Sequence, residues 1–291
     1  MSNEASLPMI SNRMKKNFRS IFAMLILMSP VLGVFYWIYN RNDRKLSLVI
    51  MAGQSNMSGR GALPKSPPPP LKNVFVFGND DQWHPAIEPL DSEVNQVDLI
   101  SEDRNPGFSP GTAFAQSIIE KRPDILIGLI PCAKGGSAIE EWQKNSERTS
   151  LYGSCLRRIK IAEESGSVVA MLFYQGETDA LDFTNAAKWA SRFSRFVDDI
   201  RADLENSNLP IVFTHLPYKN GEEYVAWEVV KAQQEIVKIS NTALVKTVDL
   251  TLFSNAHLDT QSHVVLGKRY ADALNALDVN WKPYEKSYLF W

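Results

Sequence analysis

LSLVIMAGQSNMSG, residues 46–59, opens with an apolar run and breaks at Gly53 into a turn of Gly, Ser and Asn. A short apolar run bounded by turn residues reads as a strand buried on both faces. Its polar sequel then falls at the strand's carboxyl end. Outward from this stretch the pattern repeats: residues 74–77 (VFVF), 125–130 (ILIGLI), 168–174 (VVAMLFY), 211–216 (IVFTHL) and 243–248 (ALVKTV) are further strand candidates. Between them, residues 111–120, 151–164, 186–204, 224–239 and 264–274 have helical spacing. Strands alternating with helices predict βα units: a central parallel sheet covered by helices on both faces, a three-layer α/β/α sandwich. Residues 79–110 show little periodicity and are read as mostly loop, and the prolines at 67–70 mark an extended surface loop. There is no internal repeat.

Residues 20–39 (SIFAMLILMSPVLGVFYWIY) carry no charge over 20 positions, enough to cross a bilayer as a helix. Arg13, Lys15, Lys16 and Arg19 precede the segment, and Phe35, Tyr36, Trp37 and Tyr39 crowd its far end. The basic excess predicts a cytoplasmic tail at 1–19, a signal anchor at 20–39, a linker at 40–45 and a domain at 46–291 on the far side of the membrane. A cleaved signal peptide is the rival reading, disfavoured by the length of the apolar stretch and by the absence of a small-residue cleavage site. The remaining length suits one domain. Net charge is −2, so the chain lacks the basic footprint of a nucleic-acid binder. Cys132 and Cys155 form no zinc-type cluster with histidines. They are either buried thiols or, outside the cytoplasm, one disulfide.

In an open parallel sheet ligands bind at the carboxyl ends of the strands. Ser55 sits there, in Gly53-Gln54-Ser55-Asn56-Met57, where its hydroxyl can project and nearby N–H groups can meet an oxyanion. The commonplace alternative is a helix-capping serine. A nucleophilic serine needs a base, usually histidine. Of His84, His215, His257 and His263, only His257 falls in a loop at that edge, after the last strand; His263 reads as a surface or packing residue at the start of the last helix. Lys134-Gly135-Gly136-Ser137 and Gln175-Gly176-Glu177-Thr178-Asp179 follow two other strands and bring backbone N–H groups, an amide and carboxylates to the same edge.

Taken together, GQSNM at 53–57, KGGSAIEEW at 134–142, QGETD at 175–179 and HLDTQSHVVLGKRYA at 257–271 resemble the carbohydrate-esterase branch of the SGNH hydrolases, which includes acetylxylan esterases and the sialate O-acetylesterase group. The resemblance runs in order from 46 to 274 and also touches WHPAIEPL at 83–90 and SPGTAFA at 109–115. It implies a flavodoxin-like α/β/α fold and a serine esterase that removes O-acetyl groups from a carbohydrate without metal or organic cofactor. It makes Ser55 the nucleophile, His257 the base, and the Ser55 and Gly136 N–H groups with the Gln175 amide the oxyanion hole. Many relatives carry Asp-x-x-His; here Ser254 stands where that Asp would be. Glu177 is the first candidate to orient the histidine, with Asp259, Asp179 or no acid at all as alternatives. An acetyltransferase using the same site and an inactive, membrane-tethered glycan-binding domain are the rival functions.

Overall fold

The computed structural model describes residues 45–95, 98–101, 104–218, 221–277 and 279–284. The expected tail and membrane segment within 1–44 lie outside the described residues. Among the described residues, no helix is long and apolar enough to cross a membrane. Lys45–Trp291 forms one compact unit.

Seven strands make one sheet: β1 (Leu46–Gly53), β2 (Val74–Phe77), β3 (Trp83–Pro85), β4 (Ile127–Ala133), β5 (Gly166–Tyr174), β6 (Ile211–Thr214) and β7 (Thr242–Val245). Their order is β3-β2-β4-β1-β5-β6-β7, and every pairing is parallel except the edge pair β2–β3. The expected parallel sheet therefore carries one antiparallel edge strand that the sequence hid. Trp83–Pro85 is too short to show a period, and it lies half-exposed in a stretch rich in Asp, Asn and Pro. β1 is buried along its whole length because it lies at the centre, between β4 and β5.

Helices flank the sheet: α1 (Ser55–Ser58), α2 (Gly111–Lys121), α3 (Leu151–Ala162), α4 (Phe183–Ala187), α5 (Trp189–Asp203), α6 (Trp227–Ile236) and α7 (Thr260–Ala276). The fold is the α/β/α sandwich that the alternation of elements predicts. α2 packs on α7, and α5 packs on α6. Phe193 and Phe196 of α5 meet Phe173 of β5 with ring centroids 5.2 Å apart. The helix read over 186–204 is two helices, divided at Lys188. The last begins at Thr260 rather than at 264, because Asp259 caps it by accepting from Ser262 N at 2.7 Å.

The long connection from β2 to β4 is held from below. Arg158 of α3, 1% exposed, donates to Asn79 Oδ1 at 3.0 Å and to Phe77 O at 2.9 Å. Arg157 forms a forked pair with Asp81. Glu88 accepts from the Ser109 and Thr112 hydroxyls at 2.9 and 2.8 Å, joining the connection to the start of α2. Cys132 of β4 and Cys155 of α3 form a disulfide, with Cα atoms 5.3 Å apart, so the paired reading of the two cysteines holds.

Candidate active site

β1 and β5 are neighbours in the sheet. The chain leaves β1 toward β2 on one side and leaves β5 toward β6 on the other, so a crevice opens beyond their carboxyl ends. Gly53 closes β1 with φ +130°, and a Cβ there would lie 2.0 Å from Tyr174 O. Only glycine allows the two strand ends to approach this closely. Gln54 follows, its side-chain Oε1 accepting from Gln175 Nε2 at 3.2 Å and Gly176 N at 3.3 Å. Ser55 then starts the single turn α1, where the first N–H groups have no partner within the helix.

His257 arrives from the loop between β7 and α7. Its Nε2 lies 3.0 Å from Ser55 Oγ, and its Nδ1 lies 3.0 Å from Ser254 Oγ. The same Ser254 Oγ accepts from the His257 backbone N–H at 3.3 Å. Phe253 stacks beside the imidazole, centroids 6.1 Å apart. Asn56, next to the serine, holds the peptides on both sides of the histidine: its Nδ2 donates to Ala256 O at 2.9 Å and its Oδ1 accepts from Leu258 N at 3.0 Å. The serine hydroxyl and the imidazole are thus set by one rigid contact spanning some 200 residues of sequence. A hydroxyl within hydrogen-bond reach of an imidazole, itself oriented by a third group, is the arrangement nucleophilic acyl transfer requires.

None of the three expected acids bonds to His257. Glu177, buried, accepts from Asn56 Nδ2 at 2.6 Å through Oε1, and its Oε2 has no hydrogen-bond partner. It reaches the histidine only through Asn56. Burial pushes its carboxyl up to about 7, against the pull of the Asn56 bond. Asp259 is spent on capping α7 and on the Thr251 hydroxyl. Burial raises its carboxyl, but those hydrogen bonds outweigh it and the net shift is downward. Asp179 accepts from Ile139 N at 2.9 Å and Gln175 Nε2 at 2.5 Å; burial raises its carboxyl.

Gln175 also departs from its expected place. Its amide is turned inward: besides Asp179 and Gln54, Nε2 donates to Ser137 O at 3.0 Å, and Oε1 accepts from Trp189 Nε1 at 2.7 Å. With 1% exposure it fixes the β5 turn to its neighbours and offers no donor to the cleft. Gly136 borders the cleft, at φ +76° in the left-handed region, with nothing within 4 Å of where a Cβ would point. The other histidines lie elsewhere. His84 is exposed on β3 beside Asp80, His215 is buried after β6, and His263 is fully buried inside α7. His263 is thus the packing residue of the two readings open to it.

Ser55, Gly136, Glu177 and His257 line a cleft of about 660 Å³. Arg60, Arg104 and Lys134 line it too. Two functional positions escaped the sequence reading. Asn56 was quoted within GQSNM without a role, and Ser254 was noted only for the carboxylate it replaces.

The sequence model described as "Carbohydrate esterase, sialic acid-specific acetylesterase" matches residues 45–276. The chain belongs to that family of carbohydrate esterases. A "Probable carbohydrate esterase At4g34215" of Arabidopsis thaliana is 34% identical over 247 residues, 78% of this chain and 89% of that protein. Its solved structure superposes with a TM-score of 0.69 at 32% identity, covering 80% of this chain and 98% of that one. NanS shares the fold at 16% identity, with a TM-score of 0.61 over 81% of this chain and 98% of its own. XAC1771, a carbohydrate acetylesterase from Xanthomonas citri, does so at 20% identity, with a TM-score of 0.60 over 79% of this chain and 56% of its own. The resemblance read from the four motifs is thereby borne out for the family and for the fold.

Proposed function

We propose that this carbohydrate esterase is a serine O-acetylesterase that works through an acetyl-enzyme on Ser55. The observation that carries the reading is the 3.0 Å approach of Ser55 Oγ to His257 Nε2 in a cleft roomy enough for a sugar. Ser55 Oγ bonds to the acetyl carbonyl carbon as its proton passes to His257 Nε2. The oxyanion is met by the backbone N–H groups of Ser55 and Gly136, not by Gln175. Collapse breaks the bond to the sugar oxygen, which leaves with the proton from His257. Water, deprotonated by the same nitrogen, then releases acetate and restores the serine. A cleft open to solvent favours water over a second sugar as acceptor, hence hydrolysis over transfer.

The family description points to a substrate class. Arg60, Arg104 and Lys134 line the cleft together with Ser55 and Glu177, whose carboxyl burial pushes up to about 7. On the family description an acetylated sialic acid, a sugar that carries a carboxylate, is favoured as substrate over a neutral xylan. We also propose that residues 20–39 anchor the protein in a membrane, with the N-terminus cytoplasmic and the domain outside. The Cys132–Cys155 disulfide supports this, since disulfides persist in oxidising compartments.

Acetate release by the full chain from O-acetylated sialic acids, acidic bacterial polysaccharides and acetylated xylan tests the function, with Ser55→Ala as control. Release that survives this substitution would overturn it. Retention in membranes after carbonate washing tests the anchor; extraction into the wash would count against it.

A further inference from the structure

We propose that Tyr224 and Leu181 form the wall against which the sugar ring of the substrate lies, and that Tyr224 determines which acetylated compounds the cleft accepts. This deepens the serine-esterase reading and rests on it. Both side chains line the same cleft as Ser55 and His257. They arrive from different parts of the chain: Leu181 ends the short turn Asp179–Leu181 after β5, and Tyr224 lies just before α6. The two segments are tied together. Ala226 N donates to Ala180 O at 2.8 Å, and Trp227 N donates to Tyr224 O at 3.2 Å. Ala180 and Ala226 are buried, so Leu181, 48% exposed, and Tyr224, half-buried, stand at the cleft on a fixed base. Trp227 meets the Tyr224 ring edge to face, centroids 5.1 Å apart, and is itself fixed by donating from Nε1 to Pro217 O at 2.7 Å.

The strand order says which part of the substrate meets this wall. Gly136, whose N–H the acyl-transfer reading gives to the oxyanion, follows β4 on one side of β1; Leu181 and Tyr224 follow β5 and β6 on the other. At the tetrahedral carbon the oxyanion and the sugar oxygen point in different directions. With the oxyanion toward Gly136, the sugar is directed to the β5–β6 side. A phenol suits such a ligand, because a sugar presents C–H groups on its faces and hydroxyls at its edge, and tyrosine offers an apolar ring with a polar tip. The Tyr224 hydroxyl makes no hydrogen bond to the described residues. Burial, with the nearby charges of Glu177 and Glu223, raises its pKa and keeps it protonated, hence a donor. The ring is rigid and already packed, so little ordering opposes binding.

Tyr224→Phe, Tyr224→Ala and Leu181→Ser in the full chain test this. The reading is the ratio of kcat/KM on O-acetylated sialic acid to kcat/KM on 4-nitrophenyl acetate, an ester with no sugar. Phenylalanine keeps the contact with Trp227 and removes one hydrogen bond, so the ratio should fall about 3- to 10-fold. Alanine removes the ring as well and should lower it about 10- to 100-fold, mostly through KM. Leu181→Ser should lower it about 3- to 10-fold by removing apolar contact. An unchanged ratio in both Tyr224 variants would overturn the proposal and leave the esterase reading intact. Calorimetric binding of O-acetylated sialic acid to Ser55→Ala supplies a reading independent of turnover. Adding Tyr224→Phe to that background should weaken binding by the same factor. If the native chain hydrolyses neither ester, the esterase reading fails, and the binding measurement still decides the role of Tyr224. Binding that is absent, or equal with and without the phenol hydroxyl, would overturn that role.

Discussion

Asn56 and Glu177 share a buried hydrogen bond of 2.6 Å, and that bond holds in place the amide that clamps the histidine loop. Asn56 makes three such bonds: one to Glu177, one to Ala256 O and one from Leu258 N. Asn56→Ala should leave those groups unpaired. Unfolding free energy should then fall by about 2–4 kcal/mol, since each buried unpaired polar group costs about 1–3 kcal/mol. Displacing the imidazole by about 1 Å should also lower kcat by about 100-fold. Urea titration and acetate release measure the two effects. A variant that loses stability yet turns over normally would show that the clamp does not set the geometry.

Glu177→Gln separates shape from charge. Glutamine can still accept from Asn56, so kcat should fall less than tenfold, far less than for Glu177→Ala. The pH dependence should change more. Burial places the Glu177 carboxyl at about 7 in the folded chain, above its unfolded value of 4.5. The folded state therefore binds more protons between these values, and the group's stabilising contribution is lost as pH rises through that window. The slope is about 1.4 kcal/mol per pH unit. Relative to the native chain, Glu177→Gln should gain stability between pH 5 and 8, measured by chemical denaturation. A difference independent of pH would refute the buried-carboxyl account.

The disulfide anchors the strand that delivers Lys134 and Gly136. Cys132 lies on β4, two residues before Lys134, and its partner lies 23 residues on in α3. Closing a loop of that length is worth roughly 3 kcal/mol in the chain-entropy account. Cys132→Ser with Cys155→Ser should therefore lower Tm by roughly 6–12 °C in a domain of this size. An equal Tm with and without the bond would argue that β4 is held by the sheet alone.

Much of this was legible before any coordinates. β1, β5 and β6 are continuous apolar runs because they are buried on both faces, and burial on both faces writes itself into composition. Ser55 and His257 were legible because each follows a strand directly, and strand ends converge on one edge. β3 was not, since three residues cannot show a period. Gln175 was placed by motif at the right turn, but motif does not say which way an amide faces; Trp189 and Asp179, from elsewhere in the chain, decide that. The roles of Asn56 and Ser254 depend on contacts across 200 residues in one case and on a ring orientation in the other. Neither leaves a mark in local sequence.

His257 and His263 are six positions apart and should behave as opposites. His257→Ala removes the only ring bonded to Ser55 among the described residues and should lower kcat by several orders of magnitude. His263 lies fully buried in α7 with neither ring nitrogen hydrogen-bonded, and burial pushes its value down to about 3. That lies below the value of about 6.5 expected for the unfolded chain. The unfolded chain therefore binds a proton that the folded chain refuses. Stability should be lost as pH falls from about 6.5 toward 3, by about 1.4 kcal/mol per pH unit. Glu88 and Glu177, both pushed up to about 7, act with the opposite sign between 4.5 and 7. The native profile alone is then a sum of opposing slopes, and the informative quantity is the difference from His263→Leu. Replacing an unpaired buried imidazole by an apolar side chain of similar bulk should be nearly neutral at pH 7.5. It should become stabilising below pH 6, while kcat stays within a few-fold of native. If His263→Leu is inactive at a pH where it is folded, or if its stability tracks the native curve down to pH 4, the contrast between the two histidines is wrong.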